Sequence, residues 1–307
     1  MFPVTRIDSR RAEALEPLGT KRKFWYRDGE TRMLFKAEER GTGEDWAEKI
    51  ACELCRLLGM PHVHYDLAIE EDGGVPGVVC ATCAPPPLLM GLGNQLLQAL
   101  DPDYPDGNKY KVRQHTVSAV SEILELLMSP PSPHSDRMPT GIDSAPAVFA
   151  GYVLLDAWIA NQDRHHENWA ALRAPGAFTS ANLFLSPTFD HGASMARNIS
   201  DEERHERLTS RDRNRQIPAF ARRARSAFYP DPGADRPMTT MQAWLAFAAK
   251  APTGAKTWLQ QLARVDQANI EQLLSEVPPN RMSSVCRDFT LQLLLENQKR
   301  LLSGAGE

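Results

Sequence analysis

The chain has 307 residues, and 35 lysines and arginines against 39 aspartates and glutamates give it a formal charge of −4. With 42% apolar and 24% charged residues it is neither a disordered chain, which needs few apolar side chains, nor a nucleic-acid coat, which needs surplus cations. The length suits about two domains of roughly 150 residues.

No segment supplies the ~20 apolar residues of a membrane span. The longest apolar run, 145 to 155, contains Pro146 and Gly151. The charged stretch from Met1 to Arg11 has no signal-peptide core. A cytoplasmic protein without membrane insertion or direct nucleic-acid binding is expected. Five cysteines there predict free thiols.

Residues 1–88 read as a small α+β lobe. Phe24-Trp25-Tyr26 and Met33-Leu34-Phe35 are β-prone and flank Asp28-Gly29, a hairpin turn signal. A helix over 43–58 follows, with Thr42 as its N-cap and Ile50, Leu54, Leu57 and Leu58 as its apolar stripe. Gly59 ends it and Pro61 prevents its return. Two further strands fit 63–68 and 75–79, and Pro85-Pro86-Pro87 reads as a linker.

Residues 89–307 read as a larger, mostly helical lobe. Apolar spacing predicts helices over 111–128, about 147–160, 201–208, 238–250, 254–264, 267–276 and 281–302. An irregular Pro/Ser-rich loop separates the first two. A cleft between two such lobes is a common small-molecule site.

The segment Asn161-Gln162-Asp163-Arg164-His165-His166-Glu167-Asn168-Trp169 directly follows the apolar helix. Asp163 and Asn168 have the D-x-x-x-x-N spacing that protein kinases use, with Asp as base and Asn on magnesium. Phe189-Asp190-His191-Gly192 has the Asp-x-Gly form of the kinase metal motif. Lys36 ends a small-lobe strand ahead of a helix, the kinase position for a lysine that neutralises phosphates. Each signal alone is weak, and their order along one chain carries the weight. Asp163 and Asn168 also suit helix caps, and Lys36 an edge strand.

In these residues, together with Gly19 to Trp25 and Leu34-Phe35-Lys36, the sequence resembles HipA-like kinases. It is most similar to short members with a HipA-like C-terminal domain. The resemblance covers most of the chain and is most specific at Asn161 to Asn168. It implies a bilobal protein-kinase-like fold, ATP and Mg²⁺ as cofactors, and transfer to a Ser/Thr hydroxyl of a protein. It also implies Asp163 as catalytic base, Lys36 on the phosphates, Asn168 and Asp190 on the metal, and His165 near the phosphates. A toxin role with a DNA-binding antitoxin-like partner is known in the family. Glu16 stands where toxins can carry a regulatory serine, and the extra N-terminal subdomain of long members is not expected. Alternatives are a small-molecule or phosphatidylinositol-type lipid kinase, and a pseudokinase that binds nucleotide as an interaction module.

Other positions keep two readings. The family position favours Glu48 as the partner of Lys36, whereas helical phase puts Glu53 nearer the apolar stripe. Gly19, Thr20, Lys21 and Lys23 suit a phosphate-cradling loop or a basic surface turn. Cys80, Ala81 and Thr82 fit a hinge whose backbone meets adenine. Cys52/Cys55 and Cys80/Cys83 have the CxxC shape of a zinc site. Their wide separation and the helical setting of the first pair favour buried residues instead. His166 reads as a solvated loop residue, and the arginine-rich stretch 204–225 as a solvated face rather than a docking surface.

Overall fold

The computed structural model describes residues 1–15, 22–38, 41–176 and 182–304. Six strands form the first sheet: β1 (Val4–Ile7), β2 (Ala14–Leu15), β3 (Lys23–Asp28), β4 (Thr31–Ala37), β5 (Tyr65–Glu70) and β6 (Pro76–Ala81). Their order is β1-β5-β6-β4-β3-β2. β1 pairs parallel with β5, and the other neighbours are antiparallel. Strand alternation sends Phe24, Tyr26, Phe35 and Val79 into a small core on one face. Leu67, Val78 and Cys80 face the main core on the other.

α1 (Glu44–Leu58) lies between this second face and the later helices, and nearly all of its residues are buried. Gly59 caps its C-terminus in the left-handed conformation (φ 69°), and Met60 N–H returns to the Cys55 carbonyl at 2.9 Å. The predicted Thr42 cap is not used. Instead the Glu38 carboxylate accepts from the backbone N–H groups of Thr42 (3.2 Å) and Glu44 (2.6 Å). A carboxylate at the positive end of the helix also complements its dipole.

The remaining elements are α2 (Gly93–Leu100), α3 (Val117–Leu124), α4 (Ala145–Trp158), α5 (Asp201–Thr209), α6 (Ile217–Ala221), α7 (Thr240–Lys250), α8 (Pro252–Leu262), α9 (Gln267–Ser275) and α10 (Ser284–Leu302). Among the described residues no helix is long and apolar enough to cross a membrane. The helix predicted over 111–128 contracts to α3. Lys111 adopts a positive φ, and Thr116 caps a fresh helix by accepting from Ala119 N–H, so Val112 is buried by a turn.

A second sheet departs from the helical expectation. β7 (Leu89–Leu92), β8 (Ala170–Arg173) and β9 (Leu183–Leu185) form it in the order β7-β8-β9. Its strands come from distant parts of the chain, which local periodicity does not reveal. α4 runs through the main core with every residue but Pro146 buried. Trp258 Nε1–H donates to the Ala147 carbonyl at its start, and Asn297 Nδ2–H to the Trp158 carbonyl at its end. The Asn161–Asn168 loop therefore leaves an immobilised helix.

Candidate active site

Strand alternation fixes Lys36. Phe35 is wholly buried on the far face of β4, so Lys36 points into the cleft between the first sheet and the helices. Its Nζ lies 2.7 Å from Asp190 Oδ1, 3.3 Å from Glu48 Oε1 and 3.5 Å from the Tyr65 hydroxyl. Glu48 is thus the partner in this structure. Glu53 instead binds Lys49 at 2.8 Å and Arg56 at 2.7 Å. Because α1 is buried on both sides, the phase of its apolar stripe does not separate the two glutamates.

Burial alone would push the Lys36 ammonium down, but Asp190 and Glu48 outweigh it and raise the group, so it stays charged. Burial likewise pushes Asp190 up, and the Lys36 and Lys23 ammoniums overcome it and hold the carboxyl well below its usual range. Glu48 is raised, burial acting first and Lys36 opposing. Asp190 therefore has the stronger claim on the lysine.

The Asn161–Asn168 loop is built on Asp156, a buried carboxylate in α4. Arg164 makes a two-pronged pair with it, both contacts at 2.8 Å, and Asn161 Nδ2–H donates to it at 2.8 Å. Arg164 Nη1–H also holds the Asn168 carbonyl at 2.9 Å. Asn161 Oδ1 accepts from Asp163 N–H (3.1 Å), and Asn168 Nδ2–H donates to the Asp163 carbonyl (2.6 Å). Asn168 is therefore left with its carboxamide oxygen to offer a cation. These bonds engage the backbone of Asp163, whose side chain is 33% exposed at the cleft.

His165 accepts at Nδ1 from Glu167 N–H (3.1 Å), which places its proton on Nε2. That buried N–H has no hydrogen-bond partner among the described residues and lies 3.7 Å from Asp163 Oδ1. Burial, followed by the nearby Lys109, lowers His165 to about 3, so it is neutral. His166 is buried, contrary to the solvated reading, and its Nδ1 meets the Tyr104 hydroxyl at 2.8 Å.

Asn168 and Asp190 are joined by one ribbon. The chain runs from Asn168 through Trp169 into β8, and β9 leads to Asp190. Asp190 has φ 60°, an uncommon conformation outside glycine that sets the aim of its carboxylate. Behind it, Thr188 Oγ1 and His191 Nε2 lie 2.8 Å apart. Gly192 slides against α1, where a Cβ would sit 3.4 Å from both the Glu44 carbonyl and Glu48 Oε2.

Two cavities share this cluster. One of about 540 Å³ has Trp25, Leu34, Val63 and Met90 among its apolar lining and Lys36, Asn168 and Asp190 among its polar lining. The other, about 240 Å³, is lined by Lys23, Lys36, Glu48, Asp163 and Asp190. The larger falls within the roughly 300–1,000 Å³ typical of small-ligand sites, and the smaller adjoins it. Cys80, Ala81 and Thr82 line the larger cavity. Thr82 N–H is committed to the Arg32 carbonyl at 2.9 Å. Alternation turns the N–H and C=O of Ala81 to the opposite edge, one residue past the last β5–β6 pair, Tyr65–Cys80.

Lys23 stands opposite Lys36 on β3, and burial, then Lys36, lowers its ammonium. Gly19, Thr20 and Lys21 lie outside the described residues. Sequence reasoning missed Tyr65, Asp156 and Lys109. Lys109 lines both cavities and lies 3.6 Å from Glu167.

In the arginine-rich stretch, Arg204 pairs with Asp201, Arg207 with Glu203 and Arg215 with Glu206, and Arg204 is buried, so the solvated reading does not extend to it.

No protein-family model and no curated protein sequence matches the chain. Solved structures do. The Helicobacter pylori proinflammatory kinase CtkA superposes with a TM-score of 0.71 at 17% identity, covering 98% of this chain and 96% of that one. HipA from the Shewanella oneidensis MR-1 toxin–antitoxin system, solved with HipB and operator DNA, gives 0.53 at 12% identity, covering 96% of this chain and 66% of that one. With its curled sheet, its helical remainder and the Asn168–Asp190 ribbon between them, the chain has the protein-kinase-like fold of CtkA and HipA.

Proposed function

We propose that this protein is a HipA-like phosphotransferase that uses ATP and Mg²⁺ to phosphorylate a Ser/Thr hydroxyl of a protein. The observation that carries the reading is convergence. Lys36, Glu48, Asp163, Asn168 and Asp190 come from separate segments and meet around two adjoining cavities. A fold alone does not require that set, whereas phosphoryl transfer needs each charge it supplies. The division at residues 88 and 89 is part of this proposal, with the nucleotide between the two parts.

The Asp163 carboxylate accepts the proton of the acceptor hydroxyl, and the hydrogen-bonded loop keeps it aimed at the cleft. The neutral His165 Nε2–H offers a hydrogen bond to an anion beside it. Lys36 neutralises phosphate charge, with Glu48 holding its ammonium in place. The Asn168 carboxamide oxygen and the Asp190 carboxylate are the oxygen donors a hard cation prefers. When bound, Mg²⁺ would offset the charge of the β- and γ-phosphates. Ala81 offers its backbone to the adenine edge.

The test is transfer from γ-labelled ATP in a cell extract with Mg²⁺, beside Asp190→Ala. Label on a discrete protein band with the wild type alone supports a protein kinase and identifies its substrate. Label on a small molecule or lipid would replace the acceptor class. Nucleotide binding without transfer would leave a binding module.

A further inference from the structure

The two CxxC pairs do not supply a four-cysteine metal site. Among the described residues the one group of histidine, cysteine and carboxylate donors close enough to share an ion is Cys52, His62 and His64. One donor atom from each lies within 4.8 Å of the other two. Cys52 is on α1, and the histidines are two residues apart in the segment entering β5. Extended chain with that spacing turns both imidazoles to one side while Val63 between them is buried.

The nitrogens are already sorted. His62 Nδ1 lies 2.7 Å from the Met60 carbonyl, which only accepts, so Nδ1 carries hydrogen and Nε2 keeps its lone pair. His64 Nε2 lies 3.2 Å from Asp66 Oδ1, which fixes its hydrogen there and leaves Nδ1 for Cys52, 3.6 Å away. Lys49 holds the same Asp66 oxygen at 3.0 Å. A second oxygen acceptor behind each imidazole is how metal-ligating histidines are oriented. Tyr65 N–H points at Cys52 Sγ (3.4 Å), a contact that favours a thiolate. Tetrahedral zinc with Zn–S of about 2.3 Å and Zn–N of about 2.0 Å separates S from N by about 3.5 Å, close to the Cys52–His64 distance.

We propose that Cys52, His62 and His64 bind one Zn²⁺, with a fourth position left for water or another ligand. One thiolate and two imidazoles select a borderline-soft ion over Mg²⁺ or Ca²⁺. The site lies away from the candidate catalytic cluster but is bonded to it. Cys52 follows Glu48 by one helical turn, and Tyr65, next to His64, reaches Lys36. Val63 N–H binds the Thr188 carbonyl, and Thr188 N–H the Pro61 carbonyl, two residues before Asp190. The ion staples α1, the entry to β5 and the Asp190 segment together. This inference stands whether or not the chain transfers phosphate.

The test is titration of the chelator-dialysed full chain with Zn²⁺ under saturating Mg²⁺, following stoichiometry and Tm, with Co²⁺ as a spectroscopic probe. One Zn²⁺ per chain, a Zn²⁺-dependent rise in Tm and a thiolate-to-Co²⁺ charge-transfer band are expected. Asp66→Asn should weaken binding ~10–100-fold, and Cys52→Ala more. His64 is exposed, so His64→Ala should fold like the metal-free wild type yet lose the zinc-dependent rise in Tm. Zinc binding unchanged in Cys52→Ala and His64→Ala, no equimolar binding by the wild type, or Co²⁺ bound without a sulfur band would each overturn the assignment.

Discussion

Two ion pairs flank the cleft, and they are built for different tasks. Asp156 and Arg164 are both almost fully buried, at 3% and 1% exposure, and their remaining hydrogen bonds go to Asn161 and the Asn168 carbonyl. Lys36 and Asp190 are equally close, but Asp190 is 37% exposed and shares the lysine with Glu48. The first pair is closed and fixes the shape of a loop. The second opens onto a cavity, where the proposed function has it exchange partners with a phosphate and a cation. Comparable geometry thus separates scaffold from chemistry by access to solvent and by the number of bonds still on offer.

The comparison predicts different failures on the two sides. Asp163→Ala leaves the backbone bonds of the loop intact, so turnover should fall ~10²–10⁴-fold, the usual worth of a positioned base, with Tm unchanged. A parallel loss of Tm would make Asp163 part of the scaffold. Asp156→Ala should act in reverse order. It strands a buried guanidinium at a cost of about 3–5 kcal/mol, visible as a lower denaturant midpoint. Glu48→Gln should reduce phosphate transfer by roughly 10–100-fold, since a hydrogen bond to a charged group is worth about 1.5–3 kcal/mol. Glu53→Gln should leave transfer rates near wild type, and equal losses would erase the distinction between the two glutamates.

The last prediction concerns pH. His115 accepts from Trp169 Nε1–H (3.2 Å) and donates from Nδ1 to the Ala227 carbonyl (3.1 Å), behind the loop. Burial lowers its pKa to about 3, against 6.5 for the ordinary side chain. The unfolded chain therefore binds a proton that the folded one refuses, and stability falls as pH drops from about 6.5 toward 3. The slope from this group is up to about 1.4 kcal/mol per pH unit. Melting curves at pH 7 and pH 5 should show it, and His115→Gln should flatten the dependence.

Much of this site was legible in sequence because its chemistry is concentrated in short motifs. Lys36, Asp163, Asn168 and Asp190 were named from spacing and resemblance, and the structure brings them together. The hairpin at Asp28-Gly29 and the helix ending at Gly59 follow from local turn chemistry. What escaped depends on long-range pairing. β7 and β8 are four residues each, and β9 three, too short to show a period. The choice between Glu48 and Glu53 turned on a helix buried on both faces, where amphipathic phase carries no information. Asp156 had a readable signal, as the single charged residue of α4, but its partner Arg164 is eight residues away across a loop. His166 looked solvated because a polar loop gives no sign of Tyr104 closing over it.

The start of α1 has a consequence for the position of Glu48. Asp45 and Arg281 form a buried ion pair there, and Arg281 also reaches the Ala68 carbonyl at 2.7 Å. Arg197 binds Glu44 and, at 2.6 Å, Thr42. Swinging the helix outward would break the Asp45–Arg281 and Glu44–Arg197 pairs together. The start of α1 is thus tied both to the segment ahead of α10 and to the segment after Asp190, and these ties hold Glu48 beside Lys36.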